Sequence, residues 1–358
     1  MRIVFDVSPL SHERTGVNNY IRGSLGGLAA AARERGHEVV AFAPTSPAGK
    51  RAIPEALAGI DVELKLLSLP GAHAVRTAWS IAGYPPAERF LRRFDALHFS
   101  DWMYPPQRRG VRATTIHDLV PLHHPEWVTR RTKAMHGRKY RNAALTCDVV
   151  FANSAYTADD FARTCEFPRE RVLVAHPGIG SEFTPQGEAA ELGGPYLLTV
   201  ATLEPRKNLG TLVEAFALLA DTGLALALVG GQGWGEQPEL ERPGVVRLGR
   251  VSDEELARLY RGASAVVYPS RFEGFGMPIT EAMASGAPVV ASAHPSLDEA
   301  CGEAAVRADP ESPEAIAAAI REALARRDEL SALGLAHAQR FSWRRTGETF
   351  LEGYERYA

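Results

Sequence analysis

Cysteines, lysines and long apolar runs are scarce in this chain of 358 residues. The three cysteines, Cys147, Cys165 and Cys301, are an odd number at wide spacings, which is typical of reduced structural thiols and excludes a disulfide framework. No stretch approaches the roughly 18 consecutive apolar residues that a membrane-spanning helix needs. The segment MRIVFDVSPL lacks the charged start and apolar run of a signal peptide, so we expect a cytoplasmic protein.

An excess of charge is also missing, because 40 Lys and Arg stand against 43 Asp and Glu, a net charge of −3 that gives no indication of nucleic-acid binding. The charge is unevenly distributed: residues 1–178 hold 24 basic and 17 acidic residues, and the remainder holds 16 and 26. The first half is the better candidate for meeting a phosphate-bearing or membrane-associated partner. Only five of the basic residues are lysine, and a compositional bias toward arginine without functional content explains the numbers equally well.

Short apolar runs alternate with longer helical patterns, which is typical of βαβ units and parallel sheets. The predicted strands are 2–6, 38–43, 62–67, 96–100, 112–116, 148–152 and 172–175, then 196–200, 224–229, 245–248, 265–268, 288–291 and 304–307. The predicted helices are 17–35, 129–145, 155–165, 208–221, 252–261, 276–285, 312–327 and 342–357. The stretch 68–90 yields no prediction.

The alternation is interrupted once, at a segment rich in Gly and Pro before residue 196. We therefore predict an α/β protein with two Rossmann-like domains, at 1–178 and 196–341, joined by a linker at 179–195. A last helix at 342–358 is expected to cross back to the first domain. Parallel sheets of this kind bind ligands at the carboxyl ends of their strands, so we expect the two sheets to face a central cleft.

The strongest local signal is SRFEGFGMPITE at 270–281, where a strand runs into a Gly-rich turn and then a helix. Gly274 and Gly276 allow a sharp turn, and the helix start would direct unpaired N–H groups into the cleft. Glu273 and Glu281 suit recognition of sugar and ribose hydroxyls, and we expect Glu273 to add little to the core. An ordinary strand–turn–helix with solvated glutamates would have the same pattern.

Three further segments carry candidate residues at strand ends. Arg206 and Lys207 in LEPRKN suit a diphosphate, although a solvated basic loop is the simpler alternative. His117 in TIHD would hydrogen-bond a sugar hydroxyl or stabilise developing charge, although most histidines at strand ends are structural. Gly16 in TGVNNY allows a close backbone approach at a helix start, but the full dinucleotide-binding fingerprint is absent.

A metal site is not expected. His123 and His124 lie near His117, but no carboxylate or thiol follows at ligand spacing.

Together the segments resemble the family 4 glycosyltransferases, which have the GT-B fold. The matching pieces are TGVNNY at 15–20, TIHDLVPLHHPEW at 115–127, NSAYTADDF at 153–161, HPGIGSEF at 176–183, LEPRKNLGTLVEAF at 203–216 and SRFEGFGMPITEAMASGAPVVAS at 270–292. The resemblance implies transfer of a sugar from a nucleotide diphosphate with retention of anomeric configuration, without a divalent metal or other cofactor. The family usually shows Gly-Gly in the first loop, where this chain has Thr15-Gly16.

The resemblance also implies roles for individual residues. Arg206 and Lys207 would hold the donor diphosphate, Glu273 the hydroxyls of the donor sugar, and Glu281 the ribose. The predicted catalytic residues are His117, Arg206, Lys207 and Glu273. The predicted donor-binding residues are Gly16, Arg206, Lys207, Ser270, Glu273, Gly274, Phe275, Gly276, Met277 and Glu281.

Donor and acceptor follow from a subgroup likeness to bacterial mannosyl- and rhamnosyltransferases of polysaccharide assembly. We expect a hexose, mannose from GDP-mannose, to be transferred to a glycan or lipid-linked acceptor. The segment TRRTKAMHGRKYR at 129–141 holds seven basic or His residues, which on a helix would spread over several faces. It is a candidate for peripheral contact with the inner face of the membrane, and a solvated helix is the alternative.

Other functions fit parts of the sequence. A natural-product glycosyltransferase would use a UDP- or dTDP-sugar on a small scaffold. A nucleotide-sugar epimerase has similar halves, but LEPRKN and the Glu273–Glu281 segment argue against it. A non-catalytic nucleotide-sugar binder would have lost one of His117, Arg206, Lys207 or Glu273, and all four are present.

Overall fold

The structure is a computed structural model that describes residues 1–68, 78–79, 81–91, 93–100, 104–233 and 239–358. Part of the stretch 68–90, for which the sequence yields no prediction, lies outside the described residues. The described chain forms two compact units: the first holds Met1–His123, Thr129–Gly178 and Ser342–Ala358, and the second holds His124–Val128 and Ile179–Phe341.

The first unit is built on a seven-stranded sheet in which each described pair of neighbours is parallel. Its strands are β1 Arg2–Asp6, β2 Glu38–Thr45, β3 Glu63–Ser68, β4 Ala96–Phe99, β5 Val111–Ile116, β6 Val149–Ala152 and β7 Val172–Val174. They lie in the order β3-β2-β1-β4-β5-β6-β7. Strands β4, β5 and β6 are buried along their whole length, because helices cover both faces of the sheet.

The helices of the first unit are α1 Gly16–Glu34, α2 Gly49–Ala56, α3 Val120–His123, α4 Arg130–Thr146 and α5 Ala155–Thr164. Helix α12, Trp343–Tyr357 at the end of the chain, packs along α1 and buries Phe350, Leu351 and Tyr354 in the core of this unit. Glycines make this approach close. A Cβ atom on Gly347 would lie 2.1 Å from the carbonyl carbon of Gly27.

The second unit repeats the plan with a six-stranded parallel sheet. Its strands are β8 Tyr196–Val200, β9 Ala225–Val229, β10 Val245–Gly249, β11 Ala265–Tyr268, β12 Val289–Ser292 and β13 Ala305–Ala308, in the order β10-β9-β8-β11-β12-β13. Its helices are α6 Leu209–Ala217, α7 Asp253–Gly262, α8 Met277–Ala284, α9 Asp298–Cys301, α10 Pro313–Ala325 and α11 Arg327–Ala338. Two parallel α/β sheets are therefore present, as the sequence predicts.

The observed division of the chain differs from the predicted one in two places. Residues 179–195 form neither helix nor strand, but they are fixed to the second unit: Phe183 and Ala190 enter its core, and Arg261 donates hydrogen bonds to the carbonyl oxygens of Glu182, Thr184 and Glu188. The short segment His124–Val128 groups with the second unit, although it falls inside the predicted first domain.

Some helices differ from the prediction for identifiable reasons. Helix α6 ends at Ala217 and is followed by a separate 3-10 turn at Ala220–Thr222, so 208–221 is not one helix. Helices α2 and α11 are absent from the prediction, since α2 contains Pro54 and α11 begins directly after α10 without an obvious breaker. Among the described residues, no helix has both the length and the apolar character needed to cross a membrane.

The contact of α1 with α12 predicts the effect of a small substitution. Gly347→Ala should lower the free energy of unfolding by about 1–3 kcal/mol, because the added methyl group meets the backbone of Gly27. Gly137→Ala is the matched control. Gly137 lies in α4, no described atom beyond its chain neighbours and its own helix backbone lies within 4 Å of its Cβ position, and alanine favours the helix by up to about 1 kcal/mol. Urea unfolding of both variants checks this, and equal stabilities would contradict it.

Candidate active site

The loop after β8 places Arg206 and Lys207 in a short 3-10 turn, Pro205–Lys207. Asn208 ends this turn in the left-handed conformation, with φ of 57°, which asparagine tolerates better than most residues. Its buried side-chain amide donates to the carbonyl oxygens of Pro269 (3.2 Å) and Pro310 (2.6 Å). The turn is therefore attached to two neighbouring loops of the same unit.

The loop after β11, residues 269–276, is bound to this turn through backbone atoms. The amide of Arg271 donates to the carbonyl oxygen of Arg206 at 2.9 Å. The guanidinium of Arg271 donates to the carbonyl oxygen of Pro205 at 3.0 Å. Strands β8 and β11 are neighbours in the sheet, so the loops at their carboxyl ends meet there.

Glu273 binds both cationic side chains at once. Its Oε2 accepts a hydrogen bond from Nη1 of Arg206 at 2.5 Å, and its Oε1 accepts one from Nζ of Lys207 at 2.7 Å. Nη1 of Arg206 also donates to the carbonyl oxygen of Phe272 at 2.9 Å. The structure thus brings together three of the four predicted catalytic residues.

Burial and charge oppose each other in this cluster. Burial raises the pKa of the Glu273 carboxyl, but the charges of Arg206 and Lys207 outweigh it and lower that pKa to about 2. Burial lowers the pKa of Lys207, and Glu273 opposes that shift. Glu273 is only 7% exposed, so the expectation that it adds little to the core is wrong. Its charge neutralises two partly buried cations.

Sequence reasoning missed the groups that complete the cluster. The hydroxyl of Tyr268, the last residue of β11, accepts a hydrogen bond from Nζ of Lys207 at 3.0 Å. Glu204 is buried, and its Oε2 lies 3.5 Å from Nη2 of Arg206. The position of Glu204 two residues before Arg206 was the available signal, whereas Tyr268 has the pattern of an ordinary core residue. Ser270, predicted to bind donor, is buried beside the Glu273 carboxylate.

The Gly-rich turn leads into α8 as expected. Gly276 has a φ of 99°, a conformation that favours glycine, and its Cβ position lies 2.8 Å from Leu297. Helix α8 starts at Met277, so the amides of 274–277 surround its N-terminus. The Phe275 ring is buried against Phe341, which leaves only its backbone for binding. Oε2 of Glu281 accepts a hydrogen bond from Tyr260 at 3.3 Å.

Gly16 and His117 lie in the first unit. Gly16 begins α1, and no described atom beyond its chain neighbours and its own helix backbone lies within 4 Å of its Cβ position. His117 follows β5 and contacts Tyr20 edge to face, with ring centroids 5.0 Å apart. Burial, then the charges of Lys139, His136 and His98, lower the pKa of His117 well below its usual value. At neutral pH its imidazole is therefore uncharged.

The backbone around His117 is fixed by three hydrogen bonds. Thr157 donates to the carbonyl oxygen of His117 at 3.5 Å, and Tyr140 donates to that of Asp118 at 3.0 Å. The carboxylate of Asp118 accepts from the amide of Val120 at 3.0 Å, which assigns it a structural contact. The nearby His123 binds Asp160, and among the described residues no group of three or more His, Cys, Asp or Glu side chains is arranged to hold a metal ion.

The cluster predicts a coupled loss of stability. Glu273→Gln should lower the free energy of unfolding by about 3 kcal/mol, because two partly buried cations lose their counter-charge. The double variant Glu273→Gln/Lys207→Met should be more stable, by at least ~1 kcal/mol, than the sum of the two single effects predicts. Glu311→Gln, which breaks the exposed pair with Arg271, is the control and should change stability by less than about 1 kcal/mol. Urea unfolding of wild type, Glu273→Gln, Lys207→Met, the double variant and the control measures these values, and additive effects of the two cluster substitutions would contradict the cluster.

The lowered pKa of Glu273 also predicts how the stability of the protein depends on pH. The folded-state pKa of Glu273 lies below its ordinary value of 4.5, so its stabilisation is fully present above pH 4.5. That stabilisation is lost as the pH falls toward about 2. The difference in stability between wild type and Glu273→Gln should therefore shrink only in this acid range.

Comparisons with known proteins show the family of the chain. The family model described as Glycosyltransferase Family 4 matches residues 16–183, and the one described as Glycosyl transferases group 1 matches residues 181–340. Anabaena Alr3699/HepE, solved in complex with UDP-glucose, superposes with a TM-score of 0.68 at 20% identity over 99% of this chain and 100% of that one. This similarity shows the fold.

Curated relatives are similar in sequence. The O-antigen chain mannosyltransferase B of Escherichia coli is 30% identical over 305 residues, 79% of this chain and 78% of that protein. The chain spans only about a third of a second relative, the serotype-specific mannosyltransferase WbdA of E. coli, which is 30% identical over 67% of this chain and 33% of its own length. The two family matches and the 30% relative establish that the chain belongs to the family 4 glycosyltransferases of GT-B fold and is a hexosyltransferase.

Proposed function

We propose that the protein transfers mannose from GDP-mannose to a glycan or lipid-linked acceptor, with retention of configuration and without a metal ion. The observation that carries this proposal is the pair of cationic side chains, Arg206 and Lys207, held by Glu273 at the carboxyl ends of β8 and β11. Preformed positive charge in a partly buried setting suits a diphosphate, whose own charge grows as it leaves.

In the proposed reaction the bond from the anomeric carbon to the β-phosphate oxygen breaks, and the acceptor oxygen bonds to that carbon on the same face. The acceptor proton passes to the departing diphosphate, which leaves as nucleoside diphosphate. Arg206, Lys207 and the amides at the start of α8 stabilise the leaving group, and this replaces the charge that a metal would supply. Glu273 contacts the transferred sugar, and Glu281 binds the ribose.

The choice of mannose is supported by the names of the relatives in E. coli, both of which are mannosyltransferases. A UDP- or dTDP-sugar transferred to a small scaffold is the second candidate. The two differ in the nucleotide base, so a binding panel of GDP-mannose, UDP-glucose and dTDP-rhamnose separates them. The specific donor raises the melting temperature by mass action and needs no acceptor.

Lys207→Ala should weaken binding of the preferred nucleoside diphosphate about 10-fold or more, because one charge-assisted hydrogen bond to the diphosphate is lost. Binding of the corresponding nucleoside should change little. Arg321→Ala, which removes an exposed cation paired with Asp221, is the matched control. Calorimetric titrations and a transfer assay, both in excess EDTA, measure these effects.

Two results of this experiment would contradict the proposal. If Lys207→Ala loses equal affinity for the nucleoside and the nucleoside diphosphate, Lys207 does not bind the phosphates. Transfer that requires added Mg²⁺ or Mn²⁺ would remove the metal-independent mechanism.

We also propose that α4 contacts an anionic membrane surface. As expected, the basic and His residues of α4 do not all lie on one face, because Lys139 is buried and His136 half-buried. The exposed side of α4 carries five basic residues, Arg130, Arg131, Lys133, Arg138 and Arg141. Leu145, 77% exposed, extends this side with an apolar group.

Replacing Arg130, Arg138 and Arg141 with Gln should weaken binding to vesicles of phosphatidylglycerol and phosphatidylcholine at low salt by about 100-fold, since each arginine near the surface contributes about 1 kcal/mol. Replacing the exposed residues Arg258, Arg321 and Arg326 with Gln removes the same charge from the second unit and should leave binding unchanged. Vesicle sedimentation measures both variants. Failure of the wild type to sediment, or equal losses in both, would overturn the proposal.

A further inference from the structure

The backbone of Glu273 is hydrogen-bonded to a segment that has no role in the proposed function. This segment follows β12 and forms the 3-10 turn Pro295–Leu297. The amide of Glu273 donates a hydrogen bond to Oγ of Ser296 at 3.1 Å. Ser296 is 1% exposed, so its hydroxyl has no access to bulk water.

The Ser296 hydroxyl continues this contact to an imidazole. Its Oγ lies 2.8 Å from Nδ1 of His294, and the amide of Ser296 lies 3.2 Å from the same nitrogen. Since the Ser296 amide can only donate, Nδ1 of His294 must accept. The hydroxyl, which already accepts from Glu273, donates its proton to that nitrogen. The geometry therefore requires the tautomer of His294 with its proton on Nε2.

We propose that His294 is a positioning residue for donor binding: its unprotonated Nδ1, acting through Ser296, holds the backbone of Glu273 where the carboxylate can bind both Arg206 and Lys207. The chain of contacts runs from His294 Nδ1 to Ser296 Oγ, to the amide of Glu273, and along that residue to its carboxylate. A displacement of about 1 Å in a supporting group is enough to impair a preorganised site. This inference rests on the proposed role of the cluster in donor binding.

The surroundings of His294 favour its uncharged form. Burial lowers its pKa, Asp298 opposes that shift, and His124 and Arg307 add to it. Arg307 also fixes the segment, because Nη2 donates to the carbonyl oxygen of His294 at 2.9 Å and Nη1 pairs with Asp298 at 3.0 Å. The ring of Phe272 lies 5.3 Å from that of His294. Protonation at Nδ1 would remove the acceptor for both donors of Ser296.

Substitution of His294 by asparagine should preserve donor binding, which would not be expected if His294 had only a structural role. Oδ1 of Asn occupies nearly the place of Nδ1, accepts hydrogen bonds at every pH, and commonly bonds the backbone two residues on. His294→Ala and Ser296→Ala should each weaken binding of the preferred nucleotide sugar by about 10-fold, equivalent to one hydrogen bond. His294→Asn should bind as wild type does at pH 7.5. Ser331→Ala, which removes a hydroxyl bonded to Gly286 far along α11, is the control.

The pH profile supplies the second measurement. A nucleotide sugar is a diphosphate diester and carries no phosphate that titrates between pH 5 and 8. The pKa of His294 lies below 6.5, the ordinary value for histidine. The affinity of wild type for the nucleotide sugar should therefore fall as the pH drops below 6.5 and passes the pKa of His294. The affinity of His294→Asn should stay level over the same range. Titration calorimetry at each pH measures affinity, and circular dichroism of each variant verifies folding.

The outcomes separate this inference from the proposed function. If wild type binds none of GDP-mannose, UDP-glucose and dTDP-rhamnose, or Lys207→Ala binds as well as wild type, the proposed function itself fails. If Lys207→Ala weakens binding but folded Ser296→Ala does not, the positioning role alone is wrong. Equal losses in His294→Asn and His294→Ala, or parallel pH profiles, would also overturn it.

Discussion

The candidate site of the second unit depends on one buried carboxylate that binds two partly buried cations. An isolated charge in such a place would be expensive, and two neighbouring positive charges would be more so. Glu273 makes the arrangement stable because each of its oxygens accepts a hydrogen bond from a different cation. The same contacts fix Arg206 and Lys207 in one geometry before any anion arrives. Stability of the empty site and its preorganisation therefore have a single cause.

This double role changes how loss of Glu273 would be understood. A side chain that only contacts a sugar can be removed at little cost to folding, whereas Glu273 also compensates charge in the interior. Loss of activity after its removal would combine missing sugar contacts with displaced cations. Two further residues stabilise the same cations. Tyr268 accepts a hydrogen bond from Lys207, and Glu204 lies beside Arg206.

The sequence predicted most strands and the two-sheet plan, because apolar runs of four to six residues in α/β proteins are buried on both faces and leave little ambiguity. It predicted Arg206, Lys207 and Glu273 as site residues through spacing and family resemblance, and the structure brings them within hydrogen-bonding distance. It did not predict their pairing. Residues 206 and 273 come together only because β8 and β11 are adjacent, and adjacency of strands is a property of topology. Helix α11 was missed because only Arg326 separates it from α10 and no obvious breaker marks its start.

The contact of Ser296 with Glu273 illustrates the limit of local patterns. A serine in a Pro-Ser-Leu turn has the sequence of an ordinary loop, and only the fold brings its hydroxyl to the amide of Glu273. The position of the proton then follows from counting donors. The amide and the hydroxyl of Ser296 both donate to Nδ1 of His294, so Nδ1 must be unprotonated. A histidine constrained in this way would change donor binding on titration although it does not itself contact the donor. Acid sensitivity of donor binding would thus originate in the support of the cluster, while Glu273, with its pKa lowered to about 2, stays ionised throughout.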